Sequence, residues 1–139
     1  LSNSGFGDCI GAQVTTGGAP TKQIYGNNIY NVTGTGQTGG LITNFLTSSN
    51  VYKNRIYNIT SNGITRSPNA YGMQIAGGTT NNVYNNYISE IKAPNSNVDP
   101  SPYLVGVIGL YINGGTTANI FYNTVYYRFS HINWDGKTN

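Results

Sequence analysis

The side chains of this chain that could perform acid–base or metal chemistry are few and scattered. Its carboxylates are Asp8, Glu90, Asp99 and Asp135, its one histidine is His131 and its one cysteine is Cys9. Cleavage of a glycosidic bond needs a positioned carboxylate pair. Removal of a proton next to a uronate carboxylate needs a basic side chain and a neutralising charge, commonly Ca²⁺ held by several carboxylates. Arg66, Lys92 and Asp99 are the one set whose types would suit the second reaction. Four carboxylates spread over 139 residues serve neither reaction well. A lone His and a lone Cys give no metal-ligand cluster and no recognisable nucleophile pair. The G-G-T-T runs at 77–80 and 114–117 are turns and not phosphate loops, because neither a Lys nor a helix follows them. The sequence assigns no catalytic residue, no metal site and no cofactor.

What the sequence does contain is a repeat. Residues 83–91 read V-Y-N-N-Y-I-S-E-I, and the same pattern returns at 24–32 (I-Y-G-N-N-I-Y-N-V), at 51–59 (V-Y-K-N-R-I-Y-N-I) and from 120 (I-F-Y-N-T-V-Y-Y). A β-branched residue leads, an aromatic follows, Asn takes the fourth place and Ile or Val the sixth. The shared Asn27, Asn54, Asn86 and Asn123 stand 27, 32 and 37 residues apart, within the range of stacked repeat architectures. Gly40, Gly72 and Gly109 each precede Val51, Val83 and Ile120 by eleven positions. The first copy is looser, with Gly17 and Gly18 in roughly the place of Gly77 and Gly78.

Each copy offers three short strands. Leu41 and Thr43, Met73 and Ile75, and Leu110 and Ile112 follow the landmark Gly and alternate with Ile42, Gln74 and Tyr111, the period of a half-buried strand. Strands centred on Val51, Val83 and Ile120, and then on Ile56, Ile88 and Val125, complete the coil. About two residues turn the corner between second and third strand, and one of them takes a left-handed backbone, which Asn tolerates. Stacked roughly 4.8 Å apart, the four Asn side chains can pass amide hydrogen bonds from coil to coil. The expected fold is all-β, a right-handed single-stranded parallel β-helix of about four coils with an Asn ladder.

Composition agrees. Nineteen Gly, twelve Tyr and 8% charged residues suit strands and turns rather than helices. Seven basic residues against four acidic ones are spread along the chain with no dense patch, which argues against a nucleic-acid partner. No run of eighteen apolar residues is present to span a membrane. A beginning of Leu-Ser-Asn-Ser reads as part of something longer. We expect a lead-in or cap over 1–12, repeats over 13–129, and a lid or the start of a further coil over 130–139.

G-M-Q-I followed by N-N-V-Y-N-N-Y-I, and G-L-Y-I followed by A-N-I-F-Y-N-T-V, resemble the parallel β-helix repeat of pectate lyases, polygalacturonases, phage tailspikes and bacterial surface proteins. The wording is similar to repeats in large secreted proteins of the Bacteroidetes type. The resemblance implies a protein at the cell surface or outside the cell, and a groove between the first-strand face and the loops after the third strand. Those loops lengthen along the chain, and insertions in repeat folds gather on one face, often the binding face. Arg66, Tyr71, Gln74, Lys92, Asp99, Tyr103, Tyr111 and Asn113 are the candidate groove residues. Tyr and Asn there would suit a polysaccharide, with an aromatic face for C–H surface and amides for hydroxyls. The expected function is a non-catalytic carbohydrate-binding or adhesive module. The alternatives are a fragment of a polysaccharide lyase or glycoside hydrolase, and a spacer that docks neighbouring domains or another chain at its open coil ends or along an outward strip of Tyr25, Tyr52, Tyr84 and Phe121.

Overall fold

The computed structural model describes residues 7–18, 20–45, 47–63, 69–94 and 106–127. Among them the elements are all strands, three to a coil. The first coil holds β1 (Cys9–Thr16), β2 (Lys22–Tyr25) and β3 (Asn28–Gly34), and the second β4 (Thr38–Phe45), β5 (Ser49–Tyr52) and β6 (Arg55–Ser61). The third holds β7 (Ala70–Ile75), β8 (Thr80–Tyr84) and β9 (Tyr87–Lys92), and the fourth β10 (Val107–Ile112), β11 (Thr117–Phe121) and β12 (Thr124–Tyr126). Equivalent strands pair in parallel as three four-stranded sheets, β1-β4-β7-β10, β2-β5-β8-β11 and β3-β6-β9-β12. The chain is a parallel β-helix of four coils. Strand β1 begins at Cys9, inside the stretch that the sequence reads as a lead-in, because small residues such as Cys9 and Ala12 occupy its core-side places. The lid expected over 130–139 lies outside the described residues.

The repeat landmarks are register partners. Ile24, Val51, Val83 and Ile120 form one column, and Ile29, Ile56, Ile88 and Val125 another. In the middle coils Val51, Val83, Ile56 and Met73 are wholly buried, each contributing about 1.5–3 kcal/mol of burial. Ala12, Leu41, Met73 and Leu110 are also partners in register, which places Gly11, Gly40, Gly72 and Gly109 in one column beside them. A Cβ on Gly40 or Gly72 would come closer than 3.0 Å both to the Ile56 or Ile88 side chain and to the carbonyl of the Gly one coil on. The column of glycines and the column of Ile and Val are thus one contact between the first and third sheets. One expectation is corrected here. The landmark Gly lies two residues inside each first strand, not ahead of it, and Gly11 is its first-coil member. It escapes the eleven-residue rule because Ile24 follows it by thirteen positions, the first coil being two residues longer between these two landmarks.

The corner between second and third strand is two residues long in every coil. Its left-handed residue precedes the ladder Asn instead of being it: Gly26, Lys53, Asn85 and Tyr122 have φ between 55° and 69°. These four share no residue type, so the place carries no sequence signal. A second left-handed place recurs within the third strand at Asn31, Asn58 and Glu90, with φ of 54–55°. L-residues adopt this conformation at a cost of about 1–2 kcal/mol, and the ladders beside it hold it in place.

Asn54 and Asn86 are 1% and 2% exposed and their amides are fully engaged. Asn27, Asn54 and Asn86 each donate from Nδ2 to Oδ1 of the next ladder Asn at 2.9–3.0 Å. The second Nδ2 hydrogen of Asn54, Asn86 and Asn123 goes to the Ile24, Val51 and Val83 carbonyls at 2.8–3.0 Å. A further ladder, unforeseen from the sequence, runs along the outside of the second sheet. Asn119 Nδ2 donates to Asn82 Oδ1 at 2.9 Å and Asn82 Nδ2 to Asn50 Oδ1 at 2.8 Å. Its sequence signal is the Asn directly before Val51, Val83 and Ile120. The expected aromatic strip lies beside it, with Tyr25, Tyr52, Tyr84 and Phe121 stacked at 4.9–5.0 Å. In the third sheet Tyr30 stacks on Tyr57 at 5.2 Å, but Ser89 stands between Tyr57 and Tyr126 and breaks the column.

Candidate binding cleft

On the outer side of the first sheet the chain forms a cleft of about 260 Å³, lined by Gln37, Asn69, Tyr71, Gln74, Ile108, Tyr111 and Asn113. Three successive coils supply it. Strand β7 provides Tyr71 and Gln74, and β10 sets Ile108 and Tyr111 beside them in register. Gln37 and Asn69 stand just ahead of β4 and β7, and Asn113 directly after β10. The alternation that sends Met73 and Ile75 into the core sends Gln74 outward, which is why a polar side chain sits mid-strand here.

Of the eight candidate groove residues, Tyr71, Gln74, Tyr111 and Asn113 come together in this cleft. Lys92 does not. It lies exposed at the end of β9 in the third sheet, whereas the cleft is built on the first. Arg66, Asp99 and Tyr103 fall outside the described residues. Gln37, Asn69 and Ile108 are the lining residues that sequence reasoning missed. Gln37 and Asn69 each stand three positions before a landmark Gly, a shared place that could have exposed them.

The lining offers amides in several states of use. Gln74 Nε2 donates to Asn113 Oδ1 at 3.1 Å, which ties β7 to the turn after β10. Asn69 Oδ1 accepts the Gly106 N–H at 3.1 Å, and its carbonyl accepts the Thr38 N–H at 2.8 Å, fixing the approach to the sheet. Gln37 is held by its backbone, whose N–H donates to Asp8 Oδ1 at 3.0 Å while its carbonyl accepts from Cys9 N–H. The Gln37 side-chain amide and Asn69 Nδ2 have no protein partner among the described residues, and both border open space.

The two tyrosines differ. Tyr71 is 6% exposed, and its ring lies so close over Gly39 that a Cβ there would stand 2.5 Å from Tyr71 Cε2. Its hydroxyl titrates above the ordinary tyrosine value because burial disfavours the phenolate, with the Asp8 carboxylate adding repulsion. Tyr71 is therefore largely a floor to the cleft. Tyr111 is half-exposed and supplies the accessible ring. Among the described residues no charged side chain lines the cleft, and what this lining can do chemically is exchange hydrogen bonds and cover apolar C–H surface. Glu90 stands exposed on β9, away from it, and Asp135 lies with Asp99 outside the described residues. No protein-family model, curated protein or solved structure matches this chain.

Proposed function

We propose that the cleft binds a neutral carbohydrate and that the chain is a non-catalytic binding module of a cell-surface or secreted protein. The observation that carries this reading is the convergence of four side-chain amides with the Tyr111 ring and the Tyr71 floor in one cleft that is uncharged among the described residues. Amides supply both donors and acceptors, which vicinal hydroxyls require, and an aromatic ring covers the C–H face of a sugar. Ligand sites typically span about 300–1,000 Å³. At about 260 Å³ this one lies just below that range, and it suits a single sugar ring, either free or within a longer chain. The likeness of the repeats to those of polysaccharide-acting and surface β-helix proteins supports the choice of ligand class and of location.

The test is a glycan array probed with the folded protein, neutral and acidic glycans side by side, with Tyr111→Ala and Gln74→Ala as paired variants. A neutral glycan should be retained, and each variant should weaken it by about tenfold or more, as expected for the loss of roughly 1.4 kcal/mol. A turnover assay on the retained glycan then separates a binding module from an enzyme fragment. Silence across the array, or binding indifferent to both substitutions, would remove the carbohydrate reading.

A further inference from the structure

The Asn ladder has a direction, and its two ends are complementary. Asn27, Asn54 and Asn86 each give two hydrogen bonds to Oδ1 of the next Asn, one from Nδ2 and one from the backbone N–H, the latter at 3.0–3.1 Å. Asn123 receives both bonds from Asn86 and among the described residues has no further Asn to give to. Its spare Nδ2 hydrogen turns back to the Phe121 carbonyl at 3.2 Å, and among the described residues its backbone N–H has no acceptor. At the other end, Asn27 Oδ1 accepts from no donor among the described residues. One end therefore presents ladder donors and the other a ladder acceptor.

Among the described residues the fourth coil is also unguarded. Edge strands are usually protected from further pairing by Lys, Pro or other charge, yet residues 107–127 contain no charged residue and no Pro. All of β11 and β12 is exposed, and Ile120 and Val125 are 49% and 38% exposed where their partners Val83 and Ile88 are 0% and 1%. Half of an apolar layer faces outward along three strand edges.

We propose that the fourth coil is a stacking surface for the first coil of a second copy of this chain, joined head to tail. Asn123 gives its spare donors to Asn27 Oδ1 of the next copy. Ile120 and Val125 then gain the cover that Ile24 and Ile29 give to the second coil within one chain, and β10–β12 add β1–β3 as parallel neighbours. A two-fold pairing of like ends would set ladder donor against donor, so the contact is heterologous and open to growth.

Sedimentation of the purified chain from about 1 µM to about 1 mM, a range that brackets modest affinities, tests this. Association that grows with concentration past the dimer is expected. Val125→Lys, which puts a charge in the joint, and Asn123→Asp, which keeps the acceptor for Asn86 but loses both Nδ2 donors, the spare one and the one to the Val83 carbonyl, should each weaken it at least about tenfold. Far-UV circular dichroism should show that both variants keep their β structure, and retention of the glycan by Val125→Lys separates this idea from the cleft. A monomer at every concentration, an association that stops at dimers, or one untouched by both substitutions would overturn the proposal.

Discussion

Asn54 and Thr43 illustrate opposite consequences of placing a polar group in a β-helix core. Asn54 has every hydrogen-bonding group of its amide engaged, with donors to Asn86 Oδ1 and the Ile24 carbonyl and acceptance from Asn27. Thr43 stands between Val14 and Ile75 in register, and its Oγ1 is buried with no partner. Removing a bonded buried amide strands its partners, at about 1–3 kcal/mol for each group left unsatisfied. Replacing an unpartnered hydroxyl by a methyl removes a desolvation cost instead. In urea unfolding, Asn54→Ala should therefore lower stability by about 2–3 kcal/mol and Thr43→Val should raise it by about 1 kcal/mol. Equal and small effects from the two would show that the ladder does not hold the corner.

At the scale of elements, the first and third sheets meet through the glycine column. Gly72 has no positive φ; it is required by space, since a Cβ would press on both the Ile88 side chain and the Gly109 carbonyl. Gly18 is the reverse case, with φ of 84° and open space around its Cβ position. Overpacking of a close contact costs about 1–3 kcal/mol or more, whereas a left-handed Ala costs about 1 kcal/mol. Gly72→Ala should thus be the more damaging of the two in the same unfolding assay. Ile88→Val in the Gly72→Ala background should restore only part of the loss, because the carbonyl of Gly109 is backbone and cannot yield. A full restoration would mean that the side chain alone defines the contact. The cleft depends on this geometry as well, since Gln74 and Tyr71 flank Gly72 on β7.

At the scale of the whole molecule, a stack in which each coil contacts only its neighbours has stability that varies along its length. Coils two and three are covered on both sides, and the fourth carries half-exposed core residues. Amide hydrogen exchange at low concentration should be slowest in β4–β9 and faster in β10–β12, by at least about tenfold. Uniform protection would point to a single cooperative unit. The gradient bears on function, because β7 and β10 both build the cleft. Ligand binding should slow exchange in β10 more than in β4.

The sequence by itself determined the coil count, the core columns and the main ladder, because each depends on one residue type recurring at one place in a local pattern. Ile24, Val51 and Val83, or Asn27, Asn54 and Asn86, can be aligned by eye since the pattern from leading Ile or Val to Asn is rigid. Half of the candidate cleft was readable for the same reason: Tyr71, Gln74, Tyr111 and Asn113 keep fixed offsets from the landmark Gly. Only the tertiary structure decided which columns face one another. The Gly72–Ile88 contact joins two sheets within one coil, the ring of Tyr71 over Gly39 and the inclusion of Gln37 in the cleft join residues of different coils, and the left-handed places at Lys53 and Tyr122 have no residue type in common. Neighbours in a stack are separated in the chain by 27 to 37 residues, with loops of unequal length between them. That separation has no fixed period to read, and the contacts exist only once the backbone hydrogen bonds have set the coils in register.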